Sequence, residues 1–315
     1  MKFLIGCFAL LLFNSNCLAQ LNALDSTIKV DSIASPNYKK RQNIVGVSQA
    51  IFFTGTFTAL NQVWYANYPR SSFHFYNDGG EWLKMDKAGH GYWAYQMSRL
   101  QFNTLKWAGV KNNKAILYAS LTGMGYQTII ETLDGFSAKW GWSWNDMAAN
   151  AIGTGLWASQ QYAWGTQKFK LKFSAHYNKN SDPQLEYRNN QLFGSFFAER
   201  ILKDYNAQTY WLSMNVHSIA PKLQAPKWLN IAVGYGAENM YGGYANNWST
   251  PTGDITRFDL KRYPQWYLSL DVDFEKIPTK SKALKSLFYV LDAIKIPAPS
   301  LILANGKLTG QWMYY

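Results

Sequence analysis

Cysteine is nearly missing from this sequence. Its 2 cysteines, Cys7 and Cys17, both fall within the first 19 residues. Those residues read as a secretory signal. Lys2 supplies the positive start, residues 3–13 the apolar stretch, and Cys17-Leu18-Ala19 a small-residue cleavage site before Gln20. A chain cut there keeps no cysteine, which excludes disulfides, a thiolate nucleophile and cysteine metal ligands. Plain cleavage is the expectation, with lipidation at Cys17 as the alternative.

Acidic residues and histidine are scarce as well. There are 19 Asp and Glu against 31 Lys and Arg, a formal net charge of +12, and 4 histidines. An exported basic chain meets anionic lipid head groups and envelope polymers, so membrane lipids or those polymers are the expected partners. No nucleic-acid-binding motif is present, and nucleic acid is not an expected partner. A GxSxG elbow, a P-loop and a glycine-rich dinucleotide turn are also absent. Residues 44–66 carry no charge and are long enough to span a bilayer. Ser48, Gln49, Thr54, Thr56, Thr58, Asn61 and Gln62 dilute them, so a bundle helix and a membrane span both remain open. The mean hydropathy of −0.26 speaks against a wholly embedded chain.

What is abundant is aromatic: Phe, Tyr and Trp make up 17% of the chain, which suits a membrane interface or an aromatic core. Residues 20–42 read as a flexible polar lead-in. Helices are expected over 44–66, 87–105, 114–133 and 144–164. Small residues four apart, at Ala119/Gly123, Ala149/Gly153 and Ala151/Gly155, let helix backbones approach closely. After Gln167 the period changes to two, the mark of strands. Trp266, Leu268, Leu270 and Val272 alternate with Tyr267, Ser269, Asp271 and Asp273, and two further runs near 212–217 and 229–235 do the same. Weaker strands are read at 169–175, 300–304 and 308–315, a loop at 238–253, and one amphipathic helix around 284–294. The expected fold is α+β: a four-helix unit over 43–165, then an antiparallel sheet or partial barrel over 166–315. About six strands is too few for a single-chain membrane barrel.

Ionisable residues sit inside the apolar helices, where they are costly unless partnered. Asp86 and His90 are four apart on one helix, Glu131 and Asp134 three apart on a second, Asp146 and Asn150 four apart on a third. Packed together, Asp86, His90, Glu131 and Asp146 could ligate a divalent metal or form an acid–base site, with Lys87, Asp134, Ser143 and Asn150 in support. Structural roles compete with this. Asp86 suits an N-cap and Asp146 a first helical turn. Lys87 suits an ion pair with Glu131 or Asp134, and Asn150 a bridge between helix backbones.

Asp86-Lys87-Ala88-Gly89-His90, Glu131-Thr132-Leu133-Asp134-Gly135 and the run from Gly141 through Trp142-Ser143-Trp144-Asn145-Asp146 to Asn150 and Gly153 resemble the YfiM-like periplasmic lipoprotein family. The resemblance covers about residues 84–160. A weaker one, on the same DKxxH start and the later S-x-x-D-x-x-x-N-x-x-G helix, extends to VanZ-like membrane proteins. The resemblance implies the cell envelope of a Gram-negative bacterium, periplasmic or outer-membrane-associated, with the inner membrane as an alternative. It implies no reaction. The expected function is a membrane-associated scaffold or lipid-contacting module with a buried polar cluster. The alternatives are an envelope lipid or glycan hydrolase or transferase, and an oligomeric pore or transport component.

Overall fold

A computed structural model describes residues 38–66, 68–251 and 253–314. The expected signal segment and most of the lead-in lie outside them. In chain order the elements are α1 (Tyr38–Leu60), α2 (Met85–Trp107), α3 (Asn112–Gly135), α4 (Trp144–Trp164), β1 (Phe169–Ala175), α5 (Pro183–Phe193), α6 (Phe197–Lys203), β2 (Gln208–Asn215), α7 (Val216–Ile219), β3 (Leu229–Glu238), β4 (Asn247–Thr250), β5 (Gly253–Thr256), β6 (Tyr263–Val272), α8 (Lys282–Leu291), β7 (Ala298–Ala304) and β8 (Lys307–Tyr314). The α+β expectation holds: helices come first, then an antiparallel six-stranded sheet that does not close.

The chain forms two compact units. One holds residues 38–77, Trp93–Gln167 and Pro278–Leu291; the other holds Asp78–Tyr92, Lys168–Ile277 and residues 292–314. Thus α2 gives its first two turns to the β unit, and α8 groups with the helices.

In the helical unit α1 begins at Tyr38, so Lys39, Lys40 and Arg41 enter its first turn instead of a flexible lead-in. Arg41 stacks over the Trp107 ring at 5.3 Å, and Val45 packs on Trp107 and Ala108, which anchors that turn. Among the described residues α1 is the one helix long and apolar enough to cross a membrane, judged by length and composition. Besides Ile116, α3 buries one residue per turn: Ala115, Ala119, Gly123, Gln127, Glu131 and Gly135. The four-residue spacing puts them on a single face. That face is small or polar, while Leu117, Tyr118, Leu121 and Ile129 are exposed. Gly123 is required there, because a Cβ would stand 2.2 Å from Ser98 Oγ and 2.9 Å from the Ala94 carbonyl. α4 starts at an N-cap, with Ser143 Oγ accepting the Asp146 N–H, and stops at Gly165 in the left-handed region (φ 66°). It too buries Asp146, Asn150, Gln160 and Gln161 and exposes Ile152 and Tyr162. In α8, the Tyr289 carbonyl accepts from Arg99, whose guanidinium lies 3.9 Å from the Tyr289 ring centroid.

In the β unit the strand order is β1-β2-β3-β6-β7-β8, all antiparallel, with β4 and β5 as a separate hairpin. β4 falls within the stretch expected to be a loop. Asn305 and Gly306, both with positive φ, make the two-residue turn from β7 to β8. The register sorts the side chains into rows. One row runs Leu171–Leu212–Val233–Leu268–Leu301. The neighbouring row runs Lys170–Ser213–Ala232–Ser269–Ser300–Gln311. Alternation is the period-two rule, but the faces are reversed from a water-soluble sheet. Lys170, Lys172, Ser213, Asn230, Ser269 and Asp271 are buried, whereas Ile231, Val233, Trp266, Leu268, Leu270, Leu301 and Leu303 are exposed. Gly234 lets the Trp211 ring lie flat on the inner face, where a Cβ would meet it at 2.7 Å.

Candidate functional site

Both units carry sequence motifs. In the β unit, the approach to α2 is unusual. Trp82, Leu83 and Lys84 have φ of 49°, 49° and 67°, three non-glycine residues in succession in the left-handed region. Such a turn costs roughly 1–2 kcal/mol per residue, so its surroundings must hold it. The Trp82 N–H donates to the Gly243 carbonyl at 2.7 Å, the Tyr235 hydroxyl donates to the Leu83 carbonyl, and the Trp82 ring packs on Phe193 and Tyr205. Met85 follows, fully buried with Ala237 and Met240. This turn fixes the direction in which α2 sets out and hence where Asp86 points.

Asp86 lies inside the first helical turn and is not the N-cap. Its carboxylate accepts from Lys87 Nζ at 2.8 Å and from the Tyr205 hydroxyl at 3.0 Å, and His90 Nε2 lies 3.8 Å away. Lys87 Nζ also reaches Asp78 at 2.6 Å. Burial works against a charged Asp86, but His90, Lys87 and Tyr205 outweigh it and hold the carboxyl below its ordinary value. The group is a carboxylate that faces an imidazole one turn along.

In the helical unit, Glu131 Oε2 accepts the backbone N–H of Ser143 at 3.1 Å. A carboxylate of α3 therefore tethers the start of α4. One turn earlier on α3, Gln127 Nε2 donates to Asn150 Oδ1 at 3.0 Å. Ser143, Asn150, Glu131 and Gln127 are all essentially inaccessible. Asn150 thus joins the side chain of a neighbouring helix. Asp134 accepts from the Tyr65 hydroxyl at 2.8 Å. The remaining motif-region histidine, His74, is tied by Nε2 to the Trp140 carbonyl at 2.7 Å.

Of the four expected metal ligands, Asp86 and His90 belong to the β unit and Glu131 and Asp146 to the helical unit. Sequence reasoning missed Asp78, Gln127 and Tyr205. It also missed a larger charged group on the inner face of the sheet. Lys170 Nζ is 2.7 Å from Asp273, 2.6 Å from Asp292 and 3.0 Å from Glu275. Lys172 Nζ is 2.8 Å from Asp271, and Ser213 donates to the same carboxylate at 2.6 Å. Burial pushes Asp273 above its ordinary value, and Lys170 offsets part of the rise. Lys170 occupies the place a cation would take among those three acids. The signal was a pair of lysines at alternate positions between Phe169, Leu171 and Phe173 of one strand.

Residues 74–160 match the family model described as "Predicted periplasmic lipoprotein (DUF2279)". That segment carries both groups of motifs, and the match supports an exported protein of the cell envelope. No curated protein and no solved structure matches the chain.

Proposed function

We propose that this protein is a membrane-associated envelope scaffold that contacts lipid through the outward face of its β unit. The observation that carries this reading is the reversed polarity of the sheet: apolar rows outward, ion pairs and amides inward. In water that arrangement wastes the apolar burial that normally drives folding, whereas against acyl chains it satisfies both faces. Exposed aromatics of the helical unit support it, with Phe75 stacked on Trp144 at 63% and 67% exposure. The buried groups around Glu131 and Asn150 then act as clamps between helices. The finer likeness to YfiM-like proteins, and the weaker one to VanZ-like proteins, fits a clamp role, since the shared residues Ser143, Asp146 and Asn150 include the α4 cap. Purified protein should float with phospholipid vesicles in a density gradient; protein left at the bottom of the gradient would sink the proposal.

A second reading rests on the Asp86–His90 pair. A carboxylate that orients an imidazole is the apparatus of acid–base chemistry, here on an envelope lipid or glycan head group. A divalent metal at His90 is its other form. A His90→Ala protein with unchanged melting and lost hydrolase or transferase activity supports this reading, as does stoichiometric metal that disappears with His90. Melting that falls in step with every functional defect opposes it.

A further inference from the structure

The sheet has two edges, and they differ. The free edge of β1 is occupied: the Phe173 N–H donates to the Ala293 carbonyl at 3.1 Å, and the Phe173 carbonyl accepts from Lys295 N–H at 2.9 Å. β8 pairs with β7 and, among the described residues, with no other strand. Every residue from Lys307 to Met313 is exposed, Trp312 at 83%. β8 has no proline, and its register is regular from Lys307 to Gln311, the irregularity falling beyond. Its one charge, Lys307, stands at its start. These are few of the devices that blunt an edge against pairing.

An unpaired edge cannot stay against hydrocarbon, where no water takes up its N–H and C=O groups. Six strands are also too few for one chain to close on itself, since single-chain barrels begin at eight. The missing strand must come from outside the described residues. We infer that β8 pairs antiparallel with β8 of a second copy of this chain, across a two-fold axis. Charge selects the direction. Antiparallel pairing sends the two Lys307 side chains to opposite ends of the ladder, while parallel pairing would set them side by side. The outward apolar face, which reaches β8 at Leu308 and Trp312, then runs on into the second sheet, as an isologous contact requires.

This inference rests on the lipid-facing reading, and one experiment separates the two. Full-length Gly310→Cys and Gln311→Cys proteins are reconstituted in phospholipid vesicles, oxidised with copper phenanthroline and run without reductant. A Cβ at Gly310 meets nothing within 4 Å, so the cysteine fits. The wild-type chain, with its own Cys7 and Cys17, and a Leu171→Cys protein at the opposite edge are the controls. The expected result is a band of twice the monomer mass for position 310 or 311, at least tenfold above both controls. A Gly310→Pro protein, which removes an N–H that faces the free edge, should lose that dimer and still float. Protein that floats yet stays unlinked at both positions overturns the edge pairing and leaves the lipid reading standing. Protein that does not float overturns both.

Discussion

The helical and β units solve the same problem with different materials. Each buries polar groups beside its aromatic core and leaves large apolar side chains exposed. The helical unit does so with amides and a capping carboxylate between closely packed helices, where Ala119 and Gly123 bring the backbones together. The β unit does so with full charges, Lys170 and Lys172 against Asp271, Asp273 and Asp292. Neutral amides tolerate the loss of a partner better than buried ions do. The β unit should therefore be the more brittle of the two.

The largest expected effect breaks that side of the comparison. Lys170→Ala leaves three carboxylates without their shared ammonium, and removing one member of a buried ionic group costs about 3–5 kcal/mol. Denaturant unfolding should show that loss. A divalent cation such as Ca2+ should restore part of it, since the variant vacates a position among three acids. Next comes the helix contact. Gly123→Ala forces a methyl into Ser98 and the Ala94 carbonyl, an overpacking worth about 1–3 kcal/mol by the same measurement. Gln127→Leu removes the donor that bonds the Asn150 amide oxygen, a loss of about 1–3 kcal/mol. The double variant Gln127→Leu/Asn150→Leu should cost less than the two singles added, because both changes remove the same hydrogen bond.

The smallest expected effect is a slope. Burial lowers the Lys295 ammonium from 10.5 to about 8, with Lys172 adding to the fall and Asp271 opposing it. The folded protein therefore sheds that proton more readily than the unfolded chain. Stability should rise with pH between about 8 and 10.5. Lys295→Met should flatten that rise, read as melting temperature against pH, and an unchanged slope would count against a buried ammonium there.

Much of this was legible in the sequence, and the losses have physical causes. The helices and the main strands follow their periods, and each motif segment falls on the helix expected of it. Period two, however, gives alternation and not direction. The run Trp266–Val272 reads the same whether its leucines face a core or a membrane. Lys170 and its acids were missed because about a hundred residues separate them. The left-handed turn at Trp82–Lys84 has no glycine to announce it. It is imposed by Gly243, Tyr235 and Phe193, all distant in the chain. The grouping of α8 with the helices is likewise set by a long-range contact, Arg99 on Tyr289.

The central claim is that the outward face of the sheet meets acyl chains. Leu268→Arg tests it most directly, by unfolding the protein in phospholipid vesicles beside the wild type. An arginine among acyl chains costs up to about 2–4 kcal/mol, and a loss above about 1 kcal/mol is the predicted result. A water-facing position would tolerate the change within about 0.5 kcal/mol, and that outcome would contradict the account.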